Sequence, residues 1–282
     1  MRKLKENLKN INLAIFDLDG VIYREKHLIP NVDKIIEELK NSGIKIIFNS
    51  NNSTITREMY VKKLKKMNIE TEISDFYTSA SITASEITKL KINSNIFVIG
   101  EIGLKEELKA KGHNIVENEA EYMNIDFVVV GLDRDFHYKK LATAQKCILE
   151  GKAKFYATNS DSTLPALKGL LPGAGVMVNS VTTCTNRKPI KIFGKPNPYG
   201  IEQILEDTKV SKEKAVMFGD RLNTDILAGN RAGIHTILVQ TGVSNVDDIK
   251  KLEKEIKKGK IIETLLFPNM IISSLDAIFQ KF

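Results

Sequence analysis

Two rhythms of apolar residues run along this chain. Short apolar runs bounded by polar residues or glycine read as buried strands. Leu13–Phe16 runs into Asp17, and Ile44–Phe48, interrupted only by Lys45, runs into Asn49-Ser50-Asn51-Asn52. Ile190–Phe193 runs into Gly194-Lys195-Pro196, Ala215–Phe218 into Gly219-Asp220, and Thr236–Val239 into Gln240-Thr241-Gly242. Between these runs the spacing changes to three and four. Val32, Ile35, Ile36 and Leu39 share one helical face, with Asn31 placed to cap the start and Gly43 to end it. Tyr60, Leu64 and Met67 mark a second helix, and Ile201, Ile204 and Leu205 a third. Strand and helix alternate, which predicts an α/β fold with a doubly wound, mostly parallel sheet covered on both faces. Ligands bind such sheets beyond the carboxyl ends of the strands. Four of the runs end in polar residues at that edge.

The stretch 79–179 interrupts the series. It carries strand patterns of its own at Ile96–Ile99, Phe127–Val130 and Phe155–Ala157, and a loop rich in Gly and Pro from Gly169 to Gly175. It reads as an inserted α/β domain, with 1–78 and 180–282 forming the main one. Composition agrees with two packed domains: 282 residues, 42% hydrophobic and 27% charged. The net charge of +7 admits nucleic acid as a partner. However, Lys alternates with Glu in stretches such as Lys250–Glu255, which reads as a solvated helix face, and no nucleic-acid motif is present. Cys147 and Cys184 show no metal or redox spacing, and no apolar leader follows the first residues, so a reducing cytoplasm is expected. The apolar stretch Ile261–Phe279 is broken by Glu263, Pro268 and Asp276, so no membrane span is expected.

Asp17-Leu18-Asp19-Gly20 alone is a weak signal, since about one chance Asp-x-Asp is expected in a chain of this length. An Asx-turn before glycine would explain it as well. Its place after a buried strand, and the partner motifs, favour chemistry. Paired carboxylates suit Mg²⁺, which takes one or two of them together with substrate phosphate. Asp17 can attack phosphorus, and Asp19 can protonate the leaving oxygen and then deprotonate water, provided Asp19 holds its proton more tightly than Asp17 does. Asp220 completes a metal site with Asp225 behind it, although Thr224 or Asp225 also suits the cap of a helix starting near Ile226. Ser50, Asn51 and Asn52 offer a hydroxyl, amides and backbone N–H groups to phosphate oxygens, and Lys195 offers a point charge.

These motifs together resemble the haloacid dehalogenase superfamily of aspartyl-phosphate phosphatases. The chain is similar to the branch with a large α/β cap, which includes p-nitrophenyl phosphate, phosphoglycolate, pyridoxal phosphate and nucleotide-monophosphate phosphatases. The resemblance rests on Phe16–Val21, Phe48–Asn52, Gly194–Pro196 and Gly219–Asp225 in the family's order. Gly131–Phe136, Ala157–Asp161, Leu171–Gly175 and Thr241–Val243 resemble the same branch. It implies a Rossmann-like core, a Mg²⁺ cofactor and a small phosphorylated metabolite as substrate. By the same resemblance Asp17 is nucleophile and metal ligand, Asp19 is acid/base and a metal ligand through its carbonyl, and Asp220 is a metal ligand. Ser50 and Lys195 hold phosphate, and pairing of two copies through the cap is in keeping with relatives. Substrate choice is expected in the cap, at Asp133–Phe136 and Asp161–Gly175. Arg24-Glu25-Lys26 stands where the branch usually has a glycine just before Ile-Pro, and Asn31 replaces a common glycine after Pro30. A phosphotransferase on the same core and a non-catalytic phosphometabolite-binding protein are the alternatives.

Overall fold

The computed structural model describes residues 2–165, 169–260 and 263–280. They form two compact units, one of Met1–Ser50, Val61–Tyr77 and Lys195–Phe282, the other of Asn51–Tyr60 and Thr78–Gly194. The first unit is built on a six-stranded sheet. In spatial order its strands are Met270–Ile272, His235–Val239, Ala215–Gly219, Leu13–Phe16, Lys45–Ser50 and Phe76–Thr78. The pairs from Met270–Ile272 through Lys45–Ser50 are parallel. Leu13–Phe16 is buried on both faces, which is why it reads as an unbroken apolar run rather than an alternating one. The outermost strands were not evident in the sequence, being only three residues long. Among the described residues no helix is long and apolar enough to cross a membrane.

The second unit has a five-stranded parallel sheet in the order Lys191–Ile192, Lys154–Ala157, Phe127–Val130, Asn95–Ile99, Asn114–Ile115. Helices Ser79–Leu90, Ile102–Ala110, Tyr138–Leu149 and Ala174–Thr185 accompany it. Here the sequence reading needs correction. The run Ile190–Phe193, expected in the main sheet, pairs instead with Tyr156 and Ala157. Ile192 packs on the apolar cluster around Phe155 and Val178, and the Phe193 ring stacks on Tyr156 at 5.6 Å. The unit therefore continues to Gly194 rather than stopping at 179, and it recruits Asn51–Tyr60 as well. Three long strands of the first unit, not four, lead to the candidate site, and Lys195 arrives from a loop.

Helix Val32–Asn41 buries Val32, Ile35, Ile36 and Leu39, as its spacing predicts. Gly43, at φ +78, lets the chain turn back into the next strand. Asn31 does not cap the helix through its side chain. It takes a left-handed conformation, φ +66, and its amide donates to Asp276 at 3.3 Å. Glu25, in the turn between strands Tyr23–Arg24 and His27–Leu28, is left-handed too, at φ +55. Asn31, and Glu25 within the stretch Arg24-Glu25-Lys26, thus keep a glycine-like backbone. Left-handed geometry costs an ordinary L-residue roughly 1–2 kcal/mol, less for Asn. Glu25→Gly should therefore leave stability unchanged or raise it by up to about 1 kcal/mol, after the flexibility glycine adds to the unfolded chain. Glu25→Val should lower it, and thermal melts of the two variants should move apart.

Candidate active site

Register brings the acidic residues together. Phe16 lies opposite Phe218 on one side and Phe48 on the other. The residues that follow each phenylalanine therefore emerge side by side: Asp17, then Asn49-Ser50, then Gly219-Asp220. Their rings form a layer beneath this edge. Phe218 stacks on Phe16 at 4.7 Å, Phe16 meets Phe48 at 6.3 Å, and Phe48 stacks on Phe76 at 5.1 Å. Asp17 is anchored by its backbone N–H, which donates to the Phe218 carbonyl at 2.9 Å.

Above the rings lies a buried cluster of charge. Lys195 Nζ donates to Asp17 Oδ1 at 2.6 Å, to the Asn49 carbonyl at 2.8 Å and to Asp225 Oδ1 at 2.7 Å. Lys195, Asp220 and Asp225 are at most 4% exposed. Carboxylate oxygens of Asp17, Asp220 and Asp225 all lie within 4.8 Å of one another. After Asp220 the chain makes a π-helical turn, Leu222–Ile226, in which the Ile226 N–H donates to the Arg221 carbonyl at 3.2 Å. The extra residue in the turn swings Asp225 back, so that its Oδ2 accepts from the N–H groups of Asp220 and Arg221 at 3.2 and 3.1 Å. Asp225 is thus not the helix cap that the sequence suggested. Gly20 is left-handed at φ +88, and a methyl group there would come within 2.5 Å of Asp220 Oδ2. Only glycine lets the Asp19-Gly20 turn pass that close to the carboxylate.

The electrostatics fit a divalent cation. Three carboxylates face one ammonium. Burial, followed by the charges of Asp225 and Asp17, pushes Asp220 up to about 8. Asp17 is raised to about 7, by burial first, against the pull of Lys195 and with Asp225 adding to the rise. Burial works against the Lys195 cation, but Asp17 and Asp225 overcome it and hold its pKa above the usual lysine value. Asp220 Oδ2 accepts from the Val243 N–H at 2.8 Å, while its buried Oδ1 has no hydrogen-bond partner among the described residues. A buried carboxylate oxygen without a donor, among acids that hold protons near neutral pH for want of positive charge, suits a hard oxygen-seeking ion. Asp225 has less to offer, because Lys195 and two N–H groups already engage it.

Asp19 is not part of that trio of carboxylates. Surrounding protein raises its pKa, while Lys63, Arg221 and a hydrogen bond with Tyr23 act in the opposite direction. Its carboxylate still reaches solvent, so screening discounts the effect of burial. The order of acidities expected for nucleophile and acid is therefore reversed in the protein alone, where Asp17 shows the larger rise. Asp17 lies beside two other acids in a buried pocket, and positive charge added to that cluster would lower Asp17 more than the outlying Asp19. Lys63 Nζ rests 3.3 Å from the centre of the Tyr23 ring. Neither residue was evident in the sequence. Tyr23 belongs to no motif, and Lys63 is one of four lysines between 62 and 66.

The remaining predicted residues divide. Ser50 ends its strand, buried, in the first unit. Asn51 and Asn52 belong to the second. Asn52 Oδ1 accepts from the N–H and the hydroxyl of Thr54, both at 2.8 Å, and Asn51 Nδ2 donates to Asp161 at 3.0 Å. Both side chains are engaged in turn and loop structure.

Comparison with known proteins finds phosphatases. A haloacid dehalogenase-like hydrolase family model matches residues 14–114, and a related HAD-hydrolase-like model matches residues 192–266. An acid sugar phosphatase of Staphylococcus haemolyticus is 35% identical over 274 residues, covering 97% of this chain and all of that one. Among solved structures, a p-nitrophenyl phosphatase from Archaeoglobus fulgidus superposes with a TM-score of 0.84 at 30% identity, covering 95% of this chain and 98% of that one. A 4-nitrophenylphosphatase from Thermotoga maritima gives 0.85 at 35% identity, covering 96% and 97%.

Proposed function

Since this chain belongs to the haloacid dehalogenase-like hydrolases and is a phosphatase, we propose that it hydrolyses small phosphate monoesters through a phosphoryl group carried on Asp17, with Mg²⁺ as cofactor and Asp19 as general acid and base. The observation that carries this reading is the buried constellation of Asp17, Asp220 and Asp225 around Lys195, whose ammonium lies 2.6 Å from the proposed nucleophile. The names of the curated relatives point to a sugar phosphate as substrate class. The cytoplasm is the proposed compartment, and a pair of copies joined through the second unit the proposed assembly.

The chain's own residues divide the work. Ser50 and Lys195 hold the phosphoryl oxygens, where charge develops in the transition state. An Asp17 oxygen forms a bond to phosphorus as the ester P–O bond breaks, and Asp19 gives its proton to the departing alcohol oxygen. Asp19 then takes a proton from water, whose oxygen attacks phosphorus, and the bond to Asp17 breaks to release orthophosphate. Asp17, Asp220 and the Asp19 carbonyl would hold Mg²⁺, which supplies positive charge that lessens repulsion between a carboxylate nucleophile and an anionic ester. Buried Asp225 keeps Lys195 in place throughout.

Phosphate release from a panel of sugar phosphates, measured with Mg²⁺ and with a chelator in its place, tests the reading. Activity should require the metal, and acid quenching during turnover should trap phosphate on Asp17. Full activity in chelator, or label on another residue, would defeat it.

The acid cluster also makes stability depend on pH. Burial raises Asp17 to about 7 and Asp220 to about 8 in the folded protein, well above the ordinary carboxylate range of the unfolded chain. Between those limits the folded state binds more protons than the unfolded one, so stability falls as pH rises. The metal-free protein should melt at a lower temperature at pH 8 than at pH 5, as far as these two groups decide. Mg²⁺ should raise the melting temperature more at pH 8 than at pH 5, because at pH 5 it must displace protons. Calorimetry at both pH values, with and without the ion, reads the difference.

A further inference from the structure

The chain crosses from the first unit to the second at Ser50–Asn51 and returns at Gly194–Lys195, immediately beside the two groups proposed to hold phosphate. Within the second unit a single polar network grips both crossing residues. Asn51 Nδ2 and Asn159 Nδ2 donate to the same oxygen, Asp161 Oδ2, at 3.0 and 2.9 Å. The Asn51 carbonyl accepts from the Ser79 hydroxyl at 2.6 Å. Thr158 Oγ1 donates to Asn159 Oδ1 at 2.8 Å, and the Thr158 carbonyl accepts from the Gly194 N–H at 2.6 Å. A methyl group on Gly194 would come within 2.7 Å of Asn51 Oδ1 and 2.6 Å of the Thr158 carbonyl oxygen. The residue after Ser50 and the residue before Lys195 are therefore packed against each other.

We propose that Asp161 is a positioning residue for phosphate binding, fixing through Asn51 and Asn159 the backbone that leaves Ser50 and the backbone that enters Lys195. This rests on the reading of Ser50 and Lys195 as the phosphate cradle. The physical reason is the ionised acceptor. Hydrogen bonds to a carboxylate are roughly twice as strong as neutral ones, and a misplacement of about 1 Å in a positioned group can cost about 100-fold in rate. The role differs from the leaving-group contact expected for the loop that begins at Asp161.

The two roles separate experimentally in the full-length protein with three substrates of unlike leaving group and orthophosphate as the probe. Asp161→Ala should lower kcat/KM by about tenfold or more, by the same factor for all three substrates. Inhibition by orthophosphate should weaken in the same proportion. Asp161→Asn keeps an acceptor oxygen in place without its charge and should recover part of the loss, again by the same factor for all three substrates. Asn51→Ala should reproduce the uniform loss and add little in combination with Asp161→Ala. Losses that differ between substrates while orthophosphate inhibition holds would assign Asp161 to the leaving group and overturn the proposal. An Asp161→Ala enzyme indistinguishable from its parent would overturn it as well. If Asp161→Ala does not fold, Asn51→Ala decides by the same readouts. A parent inactive on every phosphate ester would instead sink the phosphatase reading, whereas an active parent with an indifferent Asp161 sinks only this one.

Discussion

Replacing Asp17 by Asn should lower turnover by at least about 10⁴-fold while leaving the fold intact, the scale seen when a catalytic nucleophile is removed. The amide has the shape of the carboxylate but no anionic oxygen to bond phosphorus. Its carbonyl can still accept from Lys195, which also keeps its bonds to Asp225 and the Asn49 carbonyl. Loss of activity without loss of structure is therefore the expected signature, read by steady-state kinetics beside a thermal melt. Substrate should still bind, and no phosphate should remain on the protein after acid quench. Normal turnover by Asp17→Asn would remove the nucleophile from the scheme.

Lys195→Ala should cost both rate and stability. In this variant Asp17 and Asp225 lose their only close buried cation among the described contacts. Breaking a buried ion pair from one side costs about 3–5 kcal/mol, because the remaining charge is left without a partner. The carboxylates can escape part of that penalty by binding protons, so the loss should be greater at pH 8 than at pH 5. Turnover should fall by about 10²–10³-fold or more, since a group that stabilises transition-state charge is gone. Lys195→Arg should not restore it, because the broader guanidinium does not fit a pocket measured for three short contacts to one nitrogen. Melting at the two pH values, together with kcat, checks both parts.

The sequence carried much of the fold because the strands leading to the site are buried on both faces. Leu13–Phe16 and Ala215–Phe218 could be read as strands from composition alone. Ile190–Phe193 carries the same signal and lies in the other sheet. An apolar run says that a strand is buried, not beside which strand. Asp17, Asp220 and Lys195 were legible because each follows such a run. Asp225 was legible only as a helix cap or metal support, since a π-helical turn is not written in the spacing of apolar residues. Asp161 is expected from the sequence to bear on substrate choice, and nothing in a short polar motif tells that its carboxylate accepts from Asn51 and Asn159.

The row of phenylalanines under the acids has a consequence for how this enzyme can change. Phe218, Phe16, Phe48 and Phe76 touch in succession, and three of them immediately precede or lie within two residues of Asp17, Ser50 and Asp220. None can shrink or swell without shifting its neighbour. A randomised library at these four places should return active members in compensated combinations, large beside small, and few that differ at one place only. Drift in the layer is thus collective, and selection on substrate preference is left to the loops.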